Sequence, residues 1–231
     1  MSDKQEIRQM FNKVSGRYDF LNHFLSAGID YNWRKKTINR LGKIKPQYIL
    51  DVATGTGDLA IAACRLNPKE IIGIDISEGM VEVGIEKVKK KGLDRLIKLE
   101  VGDSEDIQYD TDYFDAVTVA FGVRNFETLE KGLGEMLRVI RPGGLALILE
   151  FSQPQGFLIK QFYAFYFKYI LPTLGNLISG DSSAYTYLHD SVSKFPFGED
   201  FAAIMRKVGY KDVEIRPLTF GIATLYVGKK A

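Results

Sequence analysis

Two acidic residues and a glycine-rich turn carry the clearest chemical signal in the chain. Asp51-Val52-Ala53-Thr54-Gly55-Thr56-Gly57-Asp58-Leu59-Ala60 follows an apolar run at 48–52 and opens a stretch of helix formers. Glycines let a backbone turn sharply and approach a ligand closely. Asp75 closes the next apolar run, 18 residues after Gly57. A carboxylate at that place can accept hydrogen bonds from both hydroxyls of a ribose. Asp103-Ser104 follows a third run, where an adenine amino group would face Asp103. Gly55, Gly57 and Ala60 also satisfy the dinucleotide spacing with alanine in the third place. These residues by themselves therefore leave open a nicotinamide-dependent oxidoreductase, a nucleoside-type methyl donor and a tight turn without a ligand. Asp103 favours the methyl donor, because dinucleotide folds do not ordinarily need that carboxylate.

Arg124, within Phe121-Gly122-Val123-Arg124-Asn125-Phe126, follows a fourth run. A fixed positive charge there could stabilise an oxyanion developing on an acceptor. Being always protonated, it cannot act as the base. The proton would instead pass by water to Asp19 or His189. The competing reading of Arg124 is a salt bridge that holds the loop. His23 and His189 are the only histidines and Cys64 the only cysteine, so a Cys/His metal site and an intrachain disulfide are not expected. Cys64 reads as a small core residue.

The elements that must position these residues follow from the hydrophobic pattern. Apolar residues at Ile7, Met10, Phe11 and Val14 have helical spacing, and 3–41 reads as helical with two turns. Strands are expected at 48–52, 71–75, 96–101, 114–120 and 145–151. Helices are expected at 57–66, at 77–91 with Ser77 as N-cap, and at 127–140, stopping at Arg141-Pro142-Gly143-Gly144. A helix at 198–208 and strands at 211–215 and 222–227 close the chain. Strands alternating with helices imply a doubly wound α/β fold with a parallel sheet.

The balance of 31 basic against 29 acidic residues, net charge +2, lacks the basic excess of a nucleic-acid partner. No apolar stretch reaches the ~18 residues of a membrane span. Residues 1–10 are polar and lack a signal-peptide centre, so a cytoplasmic protein is expected.

The order of Asp51, the glycine loop, Asp75, Asp103 and Arg141-Pro142-Gly143-Gly144 resembles the class I S-adenosyl-L-methionine-dependent methyltransferases. The resemblance covers about residues 46–151. It implies a Rossmann-like, seven-stranded, mostly parallel sheet with helices on both faces, order 3-2-1-4-5-7-6, the last strand antiparallel. It also implies Gly55, Thr56 and Gly57 under the methionine part of the cofactor, Asp75 on the ribose, and Asp103 with Ser104 beside the adenine.

Two further stretches narrow the family. Tyr18-Asp19-Phe20-Leu21-Asn22-His23-Phe24-Leu25-Ser26-Ala27-Gly28, closed by Trp33-Arg34, is one. The other runs from Arg138 to Gly144 and on through Leu149-Glu150-Phe151-Ser152. Over nearly the whole chain these are similar to the quinone-biosynthesis C-methyltransferases. That resemblance implies C-methylation of a prenylated quinol, demethylmenaquinol or a ubiquinol precursor, with Tyr18 and Asn22 at the substrate. A methyltransferase for another small hydrophobic phenol is the nearest alternative. The sequence departs from the family at Leu21 (commonly methionine), Asp30 (commonly histidine) and Ala120 (often serine).

Four segments result: a helical N-terminal cap (1–45), a cofactor-binding core (46–151), an aromatic-rich substrate insertion (152–197) and a C-terminal helix with two strands (198–231). Residues 157–170 hold seven aromatics, with Lys160, Gln161, Ala164 and Lys168 on one narrow helical face. A helix apolar around most of its circumference buries two sides or faces lipid. Three readings stand: core or homodimer interface, a wall for a prenyl tail, and peripheral contact with the inner face of a membrane.

Overall fold

The structure, a computed structural model, describes residues 4–17, 26, 28–154, 156, 161 and 183–231. Tyr18, Asp19, Leu21, Asn22 and His23, and the aromatic segment apart from Gln161, lie outside the described residues.

A seven-stranded sheet in the order β3-β2-β1-β4-β5-β7-β6 forms the centre. β1 (Tyr48–Val52), β2 (Glu70–Asp75), β3 (Ile97–Val101), β4 (Phe114–Ala120) and β5 (Ile140–Phe151) are parallel; β7 (Ala223–Lys229) runs antiparallel to β5 and to β6 (Lys211–Leu218). The apolar runs at β1, β2 and β4 are continuous because helices cover both faces of a parallel sheet. Ile49, Ile71, Leu147 and Leu225 face one core, against Trp33, Ile38 and Leu41 of α2 (Ile29–Leu41), Leu59 and Ala63 of α3 (Asp58–Ala63), and Val81 and Val88 of α4 (Glu78–Lys90). Leu50, Ile72, Val117 and Ile148 face the other, against Leu133 and Met136 of α5 (Leu129–Val139). Phe201 and Met205 of α7 (Glu199–Val208) complete it. Burying one such side chain contributes about 1.5–3 kcal/mol, so these two layers hold the sheet edge at which Gly55, Asp75 and Asp103 stand.

The class and strand order agree with the sequence reading. The helix before Arg141-Pro142-Gly143-Gly144 ends at Val139, as expected, but the strand expected from Leu145 starts earlier: β5 begins at Ile140 and runs through those four residues. Phe114 pairs with Ile140 and Ala116 with Leu145, so the extra residues bulge out of the ladder. Gly144 has no room for a side chain, since a Cβ there would lie 2.6 Å from the Asp115 carbonyl. Gly143 N–H donates to the Lys230 carbonyl at 2.9 Å, so the far terminus pins the bulge. β6 extends to Leu218 past Pro217, which an edge strand tolerates because an outward N–H is not needed.

α1 (Lys4–Val14) lies over the N-terminus of α4. Asn12 Oδ1 accepts from Ser77 Oγ at 2.7 Å and from the Gly79 N–H at 3.0 Å. Ser77 caps α4 as expected, accepting from the Met80 N–H at 3.3 Å. α6 (Ser183–Lys194) packs on the turn that follows β4.

Candidate active site

The carboxyl ends of β1, β2 and β4 border a solvent-open cleft of about 670 Å³. Doubly wound sheets place their ligands at this edge. Gly55, Asp75, Asp103 and Ser104, all expected at the cofactor, line it together. Thr56 and Gly57 are not among the lining residues: Thr56 is buried behind the turn, accepting from Lys87 Nζ at 3.0 Å. Gly57 has φ +82° and opens α3.

The loop is held from below by Asp51. Its buried carboxylate accepts from Thr54 Oγ1 at 2.6 Å and Thr118 Oγ1 at 2.7 Å. Burial pushes its pKa up to about 6, against the opposing pull of those hydroxyls and of Arg34. From the side, Asp75 Oδ2 accepts the Gly55 N–H at 2.8 Å and Oδ1 the Ser77 N–H at 2.9 Å. Each oxygen has lone-pair capacity left, and the pair fits two vicinal hydroxyls. Burial also raises the Asp75 carboxyl above its ordinary value.

Ala53 and Phe121, which end the strand exits of β1 and β4, have φ of +50° and +59° and both line the cleft. Left-handed backbone at non-glycine residues is strained and concentrates at functional sites. Gly122 permits their approach, because a Cβ there would come within 2.5 Å of the Ala53 Cβ.

Lys4, Ile7 and Phe11 of α1 close the outer side of the cleft, with Met80, Asn125 and Phe126. Lys4 Nζ reaches Asp103 Oδ2 at 2.8 Å and Glu105 Oε2 at 3.2 Å. None of these six was singled out from the sequence as a site residue. The signal was present for α1, since Lys4, Ile7 and Phe11 fall on one helical face at i, i+3 and i+7.

Arg124 does not line the cleft. Its side chain is 5 % exposed and pairs with the fully buried Glu150, Nη1 to Oε1 at 2.9 Å. The same nitrogen donates to the Phe121 carbonyl, and the guanidinium lies over the Phe151 ring, 5.5 Å from its centroid. Its charge is thus matched within the protein. His189 is exposed on α6, with Nδ1 3.3 Å from Asp190 Oδ1, and does not line the cleft.

Asp30, at the family's histidine position, is buried in an ion pair with Arg34 and accepts from Ser26 Oγ at 2.6 Å. Arg34 Nη2 lies 3.5 Å from Asp58 Oδ2, and Lys87 Nζ 2.6 Å from Asp58 Oδ1. Alternating charges therefore run from the cap to the glycine loop. Ala120 lines the cleft with a methyl group and offers no hydrogen bond there. Cys64 is half-buried beside the core of the first sheet face. Among the described residues no group of three His, Cys, Asp or Glu side chains could hold a metal ion.

The residues present fit an adenosyl cofactor: Asp75 offers accepting capacity on both oxygens, Asp103 is a second carboxylate in the cleft, and Ala53, Ile76, Met80 and Phe121 give it apolar walls. Comparison with known proteins points the same way. A demethylmenaquinone methyltransferase of Bacteroides fragilis is 51% identical over 227 residues, covering 98% of this chain and 93% of the relative. A ubiquinone/menaquinone biosynthesis C-methyltransferase, UbiE, of Geobacter sulfurreducens is 47% identical, covering 98% and 89%. The crystal structure of a SAM-dependent methyltransferase from Aquifex aeolicus shares the fold, with TM-score 0.56 at 18% identity over 80% of this chain and 82% of that one. Residues 1–230 match the model of the ubiE/COQ5 methyltransferase family, and the chain belongs to that family.

Proposed function

We propose that the chain transfers the methyl group of S-adenosyl-L-methionine to a ring carbon of a prenylated quinol, with demethylmenaquinol as substrate and menaquinol as product. The observation that carries the cofactor half is Asp75, each of whose oxygens already holds one loop N–H in the cleft. The substrate half is supported by the near full-length similarity to demethylmenaquinone methyltransferases. The similarities lend no support to a nicotinamide-dependent oxidoreductase.

Bound S-adenosyl-L-methionine supplies an electrophilic methyl group on a sulfonium. Asp75 would hold the ribose hydroxyls while fixing the loop through the Gly55 N–H, Gly55 would lie under the methionine part, and Asp103 with Ser104 would take the adenine edge. Placement of the reactants supplies much of the rate enhancement. On the acceptor side the ring carbon becomes nucleophilic when a quinol hydroxyl gives up its proton. The new carbon–carbon bond would form as the methyl–sulfur bond breaks; the ring hydrogen then leaves as a proton and the oxygen regains its own, so that one proton passes to water overall. A quinone has no such hydroxyl, so the reduced form is the substrate. Tyr18 and Asn22 belong to the acceptor side in this reading. Arg124 and Glu150 hold the turn that forms the acceptor wall. No helix among the described residues is long and apolar enough to cross a membrane. A prenyl tail confines the substrate to lipid, so the reading places the reaction at the cytoplasmic surface of a membrane.

The test is a substrate comparison with purified protein in detergent micelles. Demethylmenaquinol should give the highest kcat/KM, ahead of a prenylated benzoquinol and a simple phenol. Equal rates for all three, or preference for the phenol, would remove the quinol assignment.

A further inference from the structure

One short segment after β4, two strands from Asp75 in the sheet, supplies part of the cleft lining. After β4, Phe121 and Gly122 turn the chain and Val123–Asn125 forms a single 3-10 turn. Phe121, Gly122, Asn125 and Phe126 line the cleft, whereas Arg124 is turned to Glu150. Asn125 is therefore the polar side chain this turn presents. Its carboxamide has one accepting and one donating branch. Oδ1 accepts from Tyr187 Oη at 2.8 Å. Among the described residues no protein acceptor takes the Nδ2 protons. In a planar amide, fixing Oδ1 fixes Nδ2.

We propose that Tyr187 is a positioning residue for methyl transfer: by holding Asn125 Oδ1 it aims the Nδ2 donors across the cleft at a ring oxygen of the acceptor. The inference rests on the quinol reading above and deepens it. Charge grows on that oxygen as the ring is activated, so a pre-aimed donor acts more strongly in the transition state than in the ground state. Without the tyrosine hydroxyl the amide can rotate or flip, and a flipped Oδ1 would repel the oxyanion. Tyr187 stands on α6, within the segment 152–197, and Gln153 Nε2 near the start of that segment donates to the Ser193 carbonyl at 3.2 Å. The packing of α6 on this turn and the orientation of the acceptor donor are thereby linked.

The test uses the full chain with S-adenosyl-L-methionine and a short-tailed demethylmenaquinol in micelles. Tyr187→Phe should lower kcat by about 10-fold or more, a fraction of the about 10²–10³ lost with a whole oxyanion donor. Cofactor affinity by calorimetry and the melting temperature should not change. Asn125→Ala should lose about 10²-fold, and Tyr187→Phe added to it should cost nothing further, because the two act as a unit. A second readout does not use activity. The Asn125 side-chain amide resonances, identified by their loss in Asn125→Ala, should shift or broaden in Tyr187→Phe. Wild-type kcat in Tyr187→Phe, multiplying losses in the double variant, or unmoved amide resonances would each overturn the proposal. So would equal falls in kcat, cofactor affinity and melting temperature, which would mark Tyr187 as holding α6 only. If the wild-type chain binds the cofactor but methylates no quinol, the quinol reading fails, and the amide resonances still judge the contact.

Discussion

Replacing Arg124 by methionine separates two roles that one side chain could play. Arg124 is 5 % exposed and Glu150 is fully buried, with Nη1 2.9 Å from Oε1. Removing one partner of a buried ion pair leaves the other charge uncompensated and costs about 3–5 kcal/mol. For a chain of this length each kcal/mol lowers the melting temperature by about 2–4 °C, so the expected loss is about 6–20 °C. Glu150 also accepts from the Phe151 N–H at 2.8 Å and from the Arg124 N–H at 3.4 Å. A glutamine retains an acceptor for these bonds without the charge, so Arg124→Met with Glu150→Gln should recover at least about half of the loss. Urea unfolding followed by the fluorescence of Trp33, the single tryptophan, measures both. If Arg124→Met keeps wild-type stability while kcat collapses, the turn-holding account is refuted and the guanidinium acts on the acceptor itself.

Asp51 predicts a pH dependence. Its folded pKa of about 6 lies above its unfolded value of 3.8, so its contribution to stability is complete below about pH 4 and is lost as pH rises through 6, by about 3 kcal/mol in all. The slope measured by urea unfolding between pH 4 and 7 should be shallower in Asp51→Asn than in the wild type by about this amount, the part due to the raised Asp75 carboxyl remaining. Asp75→Asn should weaken S-adenosyl-L-methionine binding by at least about 10-fold, the lower end for one charge-assisted bond; unchanged calorimetric affinity in a folded variant would contradict the ribose assignment. Lys4→Met should change global stability by no more than about 1 kcal/mol, since the side chain is partly exposed, while cofactor dissociation followed by stopped flow becomes faster as α1 loses its hold on Asp103 and Glu105.

What the sequence disclosed and what it hid divide along sequence distance. β1, β2 and β4 were legible because strands covered on both faces read as continuous apolar runs. Asp75 and the glycine loop were legible because one strand end and one turn define them locally. The bulge at 141–144 was not, since a proline and two glycines signal a break unless the pairing partners are known, and those are Asp115 and Lys230. Arg124 was placed on the right turn, but its partner Glu150 comes from the next strand, 26 residues on. Ile7 and Phe11 showed helical spacing, yet nothing local says that their face covers a cleft. The departure at Asp30 was visible as a mismatch to the family. That a carboxylate there completes an alternating chain of charges with Arg34, Asp58 and Lys87 needed the fold.

The most direct test of the central claim is isotope transfer. The purified chain is incubated with S-adenosyl-L-methionine carrying a deuterated methyl group and with chemically reduced demethylmenaquinol, and the product is analysed by mass spectrometry and proton NMR. The account predicts one intact deuterated methyl group on the quinol ring carbon, an equal amount of S-adenosyl-L-homocysteine, and no transfer when the quinone is kept oxidised. A deuterated methyl on oxygen, equal transfer to the oxidised quinone, or cofactor binding without any labelled quinol would contradict it.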